Sequence, residues 1–289
     1  MASIYKSEEG KQKVEALYRK ALERWPVPSR QLLVPTCQGD TFVIASGEQN
    51  QAPVVLLHGS GTNSIIWIRD VAELAARYRV YAIDMIGEPG LSAPSRPPLN
   101  SDAHAAWLDD VWNHLGLARA RIIGVSLGGW LGLDYAVRRP DRVAALSLLS
   151  PAGVGSQKRM FLLKAGLLLL LGKWGVRRSF KAATGITRAP SAAAAFVMTI
   201  FQHFRPRMEQ IPIRTDAELA GLKMPVQVVV GGNDALIRSK ETRDRMKRLV
   251  PHADVVYLEH EGHILPRQTA AVDAFLRDAA LTDLRSEIA

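Results

Sequence analysis

Short, unbroken apolar runs alternate along this chain with longer stretches in which apolar residues return at helical spacing. Residues 8–25 carry Val14, Leu17, Tyr18, Ala21 and Trp25 with charges between them, which predicts an amphipathic helix. Trp25-Pro26-Val27-Pro28 stops it, because proline cannot continue a helix and restricts the residue before it. Leu32–Val34 and Thr41–Ile44 read as two strands about the turn Gln38-Gly39-Asp40. Pro53–Leu57 is apolar throughout, the pattern of a strand buried on both faces. Strands over Arg79–Asp84, 121–125 and Val143–Leu149 follow, with a helix over Asp102–Leu115 between the first two. From 152 to about 213 no strand is evident, and the Ala-, Leu-, Lys- and Arg-rich sequence reads as helices. The rhythm resumes with a strand at Val226–Val230, a charged helix at about 238–250, a strand at Asp254–Glu259 and a terminal helix. Repeated strand–helix alternation predicts an α/β fold, with a mostly parallel sheet covered on both faces. The core would comprise 1–151 and 214–289, including the N-terminal helix, and 152–213 would form an inserted helical cap.

Within this pattern Arg121–Trp130 stands out. An apolar strand runs into Gly124-Val125-Ser126-Leu127-Gly128 and then into a helix-compatible segment. That is the form of a nucleophile elbow, in which a sharp turn leaves a serine alone at the end of a strand. The flanking glycines, Gly124 and Gly128, allow close packing around the strained serine. The N–H of Leu127 would open the new helix, where free amides favour negative charge. Glycine is common enough for the five-residue motif to arise by chance, so its partners matter. Asp234 follows the strand Val226–Val230 in the turn Gly231-Gly232-Asn233. His263 follows Gly262 in a loop after the last strand. The chain order Ser, Asp, His is that of the elbow hydrolases. Asp216, Asp244 and Asp254 are rival acids whose contexts read as a helix start, a helix face and a strand start. His260 is the runner-up base and reads equally as a strand-end histidine facing solvent. His58-Gly59-Ser60-Gly61 forms a glycine-rich turn after Pro53–Leu57, where elbow hydrolases place a second oxyanion donor. That donor is assigned to the backbone of Ser60, with Gly59 as the alternative. His58 reads as an orienting group for the loop, and Asp84 as a tie for its own loop.

Composition adds bounds. A chain of 289 residues with 47% hydrophobic and 22% charged residues can bury a full core. A single cysteine, Cys37, excludes an internal disulfide framework. With a polar N-terminal stretch, Met1 to Glu9, it points to the cytoplasm. The net charge of +9 is uneven. Ala152–Arg214 holds Lys158, Arg159, Lys164, Lys173, Arg177, Arg178, Lys181, Arg188, Arg205, Arg207 and Arg214 against Glu209, about +10 in all. This segment reads as a solvated surface, or as a surface for weak contact with a membrane or an anionic ligand. Nothing resembles a nucleic-acid-binding module. The apolar stretch Phe161–Leu171, interrupted by Lys164, is short for a membrane span. It reads as a buried cap helix, as the wall of an acyl pocket, or as a lipid contact.

Taken together, Trp25-Pro26-Val27-Pro28, Leu57-His58-Gly59, Tyr81-Ala82-Ile83-Asp84-Met85-Ile86-Gly87, Gly124-Val125-Ser126-Leu127-Gly128-Gly129, Gly232-Asn233-Asp234 and Gly262-His263 resemble the α/β-hydrolase fold family. Within it the likeness is to bacterial carboxylesterases of the NP type. It covers most of the chain and is loosest in the cap. The resemblance implies a serine esterase acting on a small-molecule ester, with no cofactor and no metal. It maps nucleophile, acid and base onto Ser126, Asp234 and His263. A C–C bond hydrolase or lactonase would use the same three residues, and a non-catalytic ligand receptor could be built on the same fold.

Overall fold

The computed structural model describes residues 3–158, 174, 175, 178 and 191–288. The apolar stretch 161–171 and Arg159, Lys164, Lys173, Arg177, Lys181 and Arg188 lie outside the described residues. An eight-stranded sheet forms the centre: β1 (Ser29–Val34), β2 (Thr41–Ser46), β3 (Pro53–Leu57), β4 (Arg79–Ile83), β5 (Ala120–Val125), β6 (Val143–Leu149), β7 (Val226–Gly231) and β8 (Asp254–Leu258). The spatial order is β1-β2-β4-β3-β5-β6-β7-β8. β2 runs antiparallel to β1 and β4, and every pair from β4 to β8 is parallel. This is an α/β-hydrolase fold. Each parallel step needs a crossover, which the intervening helices supply.

The two-residue period of the strands sorts the core into two layers. Val55, Leu57, Ile122, Leu146, Leu148, Val228 and Val230 face one side, with Trp107, Trp112, Leu131 and Tyr135. Those aromatic and aliphatic side chains come from α3 (Ala103–His114) and α4 (Leu127–Arg138). Val54, Leu56, Ile123 and Ala145 face the other side, with Tyr18, Leu22, Leu74, Val272 and Leu276. These come from α1 (Glu8–Leu22), α2 (Val71–Ala75) and the terminal helix Thr269–Ile288. Burial on both faces explains why β3 reads as a continuous apolar run, and why the buried polar residues within β6 and β7, Ser147 and Gln227, hydrogen-bond each other at 3.0 Å.

Some boundaries differ from the pattern-based expectation. α1 ends at Leu22, and Trp25 turns away to donate its Nε1–H to Ser46 Oγ at 3.0 Å. β1 begins at Ser29, earlier than its apolar residues indicate, because Ser29, Arg30 and Gln31 are exposed on the sheet edge. A 3-10 turn at Ser64–Arg69 and the short α2 carry too few residues for a visible period.

Of the segment 152–213, residues 152–158 run along the loop after β7. Gln157 bridges Ile237, Lys158 N–H donates to Leu236 O at 2.8 Å, and Arg238 N–H donates to Ser156 O at 3.0 Å. Helix α5 (Ser191–His203) packs on α1 through Ile4, Tyr5, Val14, Ile200 and Phe204. Lys6 Nζ donates to Phe201 O and Gln202 O, carbonyls at the end of α5 where a cation is favoured. Just past that segment, Arg214 is buried and pairs with the buried Asp134 of α4 at 2.8 Å. Arg207 pairs with Glu209, and Lys158 Nζ donates to Asp234 O. Lys158, Arg207 and Arg214 thus each make a polar contact within the molecule. No helix of the described residues is long and apolar enough to cross a membrane.

Candidate active site

Ser126 lies between β5 and α4 with φ 52° and ψ −108°. Among the described non-glycine residues only Ser126 and Ser150 have positive φ, a conformation costing on the order of 1–3 kcal/mol. The surroundings hold it there. Ser126 N–H donates to Leu149 O at 3.0 Å, and Ser126 O accepts from Trp130 N–H at 2.9 Å and Ala152 N–H at 3.1 Å. A Cβ at Gly124 would lie 2.4 Å from Gly128 O, and one at Gly128 would lie 2.3 Å from Leu57 O and 2.5 Å from His58 O. Both glycines are thus required by backbone contact, and the second presses the elbow onto the turn that follows β3.

The structure brings Ser126, His263 and Asp234 together from three loops. Asp234, after β7, is buried. Its Oδ1 accepts from Leu236 N–H at 2.7 Å and Ile237 N–H at 3.0 Å. Its Oδ2 lies 2.7 Å from His263 Nδ1. A carboxylate only accepts, so Nδ1 carries the proton and donates it. His263 Nε2 is then the lone-pair nitrogen and accepts from Ser126 Oγ–H at 3.0 Å. The loop bearing His263 can come this close because β7 ends in glycine. A Cβ at Gly231 would lie 2.2 Å from Gly262 O and 2.5 Å from Glu261 O.

The rivals sit elsewhere. Asp216 follows the cap residue Thr215 of a short helix and pairs with Arg245 and Arg248. Asp244 is on the exposed face of the helix Ser239–Leu249 and pairs with Arg243. Asp254 opens β8 and accepts from Gln227 Nε2–H at 2.8 Å. His260 is exposed at the end of β8. Asp84 ties its surroundings together. Its Oδ1 accepts from Tyr18 Oη–H and Ser64 N–H, and its Oδ2 from Leu91 N–H, each at 2.9 Å.

Leu127 is the first residue of α4, so its N–H has no partner within the helix. Gly59 lies against Ser126, since a Cβ there would be 3.7 Å from Ser126 Cβ. Ser60, next along, is exposed. His58 is buried beneath this turn. Its Nε2 accepts from Met85 N–H at 2.9 Å, so its Nδ1–H donates to Gly59 O at 2.8 Å. Burial holds its pKa below the ordinary histidine value, in keeping with a neutral orienting ring.

Glu88 is a residue that sequence reasoning did not single out. It follows β4 in Gly87-Glu88-Pro89-Gly90, which reads only as a turn, and its partners lie 27 or more positions upstream. The carboxylate is buried and accepts from Gly61 N–H at 2.6 Å and Ser60 Oγ–H at 3.4 Å. It also lines a small cavity with Leu127, His104, Trp130 and Arg207. Burial pushes its pKa up to about 7, against the smaller opposing pull of Gly61 N–H, Arg96 and Arg207. The folded chain therefore holds a proton at Glu88 that the unfolded chain releases near its ordinary value of 4.5. Stability from this group is present below that value and is lost as pH rises through about 7. Glu88→Gln, which cannot ionise, should gain stability relative to wild type between pH 5 and pH 8, by a few kcal/mol at most. Urea unfolding of both proteins at the two pH values measures this, and an equal difference at both would contradict it.

The profile of the alpha/beta hydrolase family matches residues 54–278. Two Bacillus subtilis proteins are similar over 256 residues, which is 86% of this chain. One is described as the uncharacterized carboxylesterase nap, 28% identical over 85% of its length. The other is carboxylesterase YbfK, 29% identical over 86% of its length. Among solved structures, carboxylesterase CesB (YbfK) from Bacillus subtilis superposes with a TM-score of 0.78 at 28% identity, over 88% of this chain and 92% of that one. Naproxen esterase (carboxylesterase NP) from the same organism gives 0.79 at 26% identity, over 96% and 99%.

Proposed function

The chain belongs to the alpha/beta hydrolase family, and from that premise we propose that it is a serine esterase cleaving carboxylic esters through an acyl-serine intermediate. The observation that carries the reading is the unbroken relay from Ser126 Oγ to His263 Nε2 at 3.0 Å and from His263 Nδ1 to Asp234 Oδ2 at 2.7 Å. The similarity to proteins described as carboxylesterases supports the same substrate class.

A serine hydroxyl is a weak nucleophile at neutral pH and needs a base in contact. His263 takes the Ser126 proton as Oγ attacks the ester carbonyl, and Asp234 stabilises the imidazolium and keeps its orientation. The carbonyl oxygen becomes an oxyanion, bound by the N–H groups of Leu127 and Ser60; losing one such donor costs about 100- to 1,000-fold in turnover. His263 then protonates the departing alkoxide, leaving acyl-Ser126. Water, deprotonated by the same histidine, releases the acid. The cycle needs the lone pair on His263 Nε2 to begin. Residues 152–213, as a cap over this face, would set the size of the acyl pocket.

Hydrolysis of p-nitrophenyl esters from acetate to palmitate tests the reading. Turnover with a defined chain-length optimum is expected. No turnover across the series, with Ser126 still labelled by a fluorophosphonate, would replace esters with another substrate of the same nucleophile. Silence in both would favour a non-catalytic receptor.

A further inference from the structure

The direction of the Ser60 N–H decides whether the turn after β3 can serve as an oxyanion donor. That N–H shares a planar peptide unit with Gly59 C=O, and a trans unit points the two in opposite directions. Gly59 O accepts from Thr62 Oγ1–H at 2.6 Å, besides the His58 contact. The following peptide unit, between Ser60 and Gly61, is held from its other end, where Gly61 N–H donates to Glu88 Oε2 at 2.6 Å. Gly61 itself sits at φ +68°, a left-handed conformation that lets the chain double back over Glu88. Thus both peptide units that flank Ser60 are gripped by side chains, Thr62 on one and Glu88 on the other.

We propose that Glu88 and Thr62 are positioning residues of the oxyanion turn: by clamping the two peptide units around Ser60 they fix the direction of its N–H. The proposal rests on the esterase reading for the role of that N–H. The hydrogen bonds of both residues go to the turn, from Glu88 to Gly61 N–H and Ser60 Oγ–H and from Thr62 to Gly59 O, with Thr62 Oγ1 also 3.4 Å from His58 Nδ1, so each acts through the turn. Glu88 can grip in either protonation state, because a carboxylic acid and a carboxylate both leave an oxygen able to accept from Gly61 N–H. A glutamine leaves one too. An alanine, or an aspartate shorter by one methylene, does not reach.

A turn free to rotate would bind substrate nearly as before and lose stabilisation only where the oxyanion forms. Glu88→Ala and Glu88→Asp are therefore expected to lower kcat by about 10- to 100-fold with KM within about threefold, and Thr62→Val by about 3- to 10-fold. Glu88→Gln should return kcat to within about threefold of wild type, a rescue that a loss of packing alone would not give. Labelling of Ser126 by an alkyl fluorophosphonate, whose phosphoryl oxygen needs the same donors, should slow and recover in parallel. Thr62→Val removes one hydroxyl at constant volume and keeps the test open if Glu88→Ala does not fold. Wild-type kcat and labelling rates in Glu88→Asp and Thr62→Val would overturn the proposal, as would a Gln variant as impaired as the Ala variant. If wild type labels but hydrolyses no ester, the ester reading fails while the labelling rates still decide the clamp. If wild type is silent in both assays, the clamp falls with the reading beneath it.

Discussion

Ser126→Ala should abolish ester hydrolysis, with kcat down by about 10⁴-fold or more, while the protein stays folded. The size follows from position. Removing Oγ takes away the one atom that His263 Nε2 contacts in the relay, at 3.0 Å, and nothing else at that place can attack. The remaining rate would come from substrate binding and the backbone donors alone. The fold should tolerate the change, because Ser126 N–H and C=O, not the side chain, make the bonds to Leu149, Trp130 and Ala152. A second variant separates chemistry from strain. Ser126→Gly is equally inert but removes the Cβ from a residue at φ 52°, so it should be more stable than Ser126→Ala by about 1 kcal/mol. Single-turnover assays and thermal unfolding of both variants check this pair. Activity within tenfold of wild type in Ser126→Ala would remove the nucleophile assignment.

Asp234→Asn should be nearly as severe, about 10⁴-fold in kcat, for a different reason. Asp234 Oδ1 is already fixed by the N–H groups of Leu236 and Ile237. An asparagine must turn its oxygen to those two donors, which leaves its NH₂ facing His263 Nδ1. Two donors cannot share a hydrogen bond, so the imidazole moves its proton to Nε2. That nitrogen then faces Ser126 with a hydrogen and no lone pair. The ring stays in place, but it cannot act as a base. The volume hardly changes, so the variant should fold, and a fluorophosphonate should label its Ser126 far more slowly than in wild type. A loss of less than tenfold would mean that Asp234 does not set the tautomer.

Much of this arrangement is legible in the chain. The largely apolar runs at 53–57, 143–149 and 226–230 are strands buried on both faces, so tertiary burial and local pattern point the same way. Gly124 and Gly128 around Ser126 signal a tight turn because only a missing Cβ allows it, and the distances to Gly128 O and Leu57 O bear that reason out. Asp84 and His58 read as loop ties, and each accepts the backbone bonds that such a role requires. The polar start of β1 is not legible in the chain, since its exposed residues extend the strand only because it lies at the sheet edge, and edge position is a property of the whole sheet.

The sequence by itself determined the order of strands and helices, the strand-end positions of Ser126, Asp234 and His263, and the small residues that crowd the elbow. These follow from local chemistry: periodicity, turn residues and steric demand are written within a few positions of each residue. Only the tertiary structure decided which acid faces which base, because the 2.7 Å contact joins residues 29 positions apart in sequence. Only it placed Glu88 under Gly61 and showed Lys158, Arg207 and Arg214 in polar contact with Asp234, Glu209 and Asp134. A hydrogen bond or an ion pair acts over a few ångströms, and the distance across which it closes is set by the packing of the sheet and not by the spacing of residues along the chain.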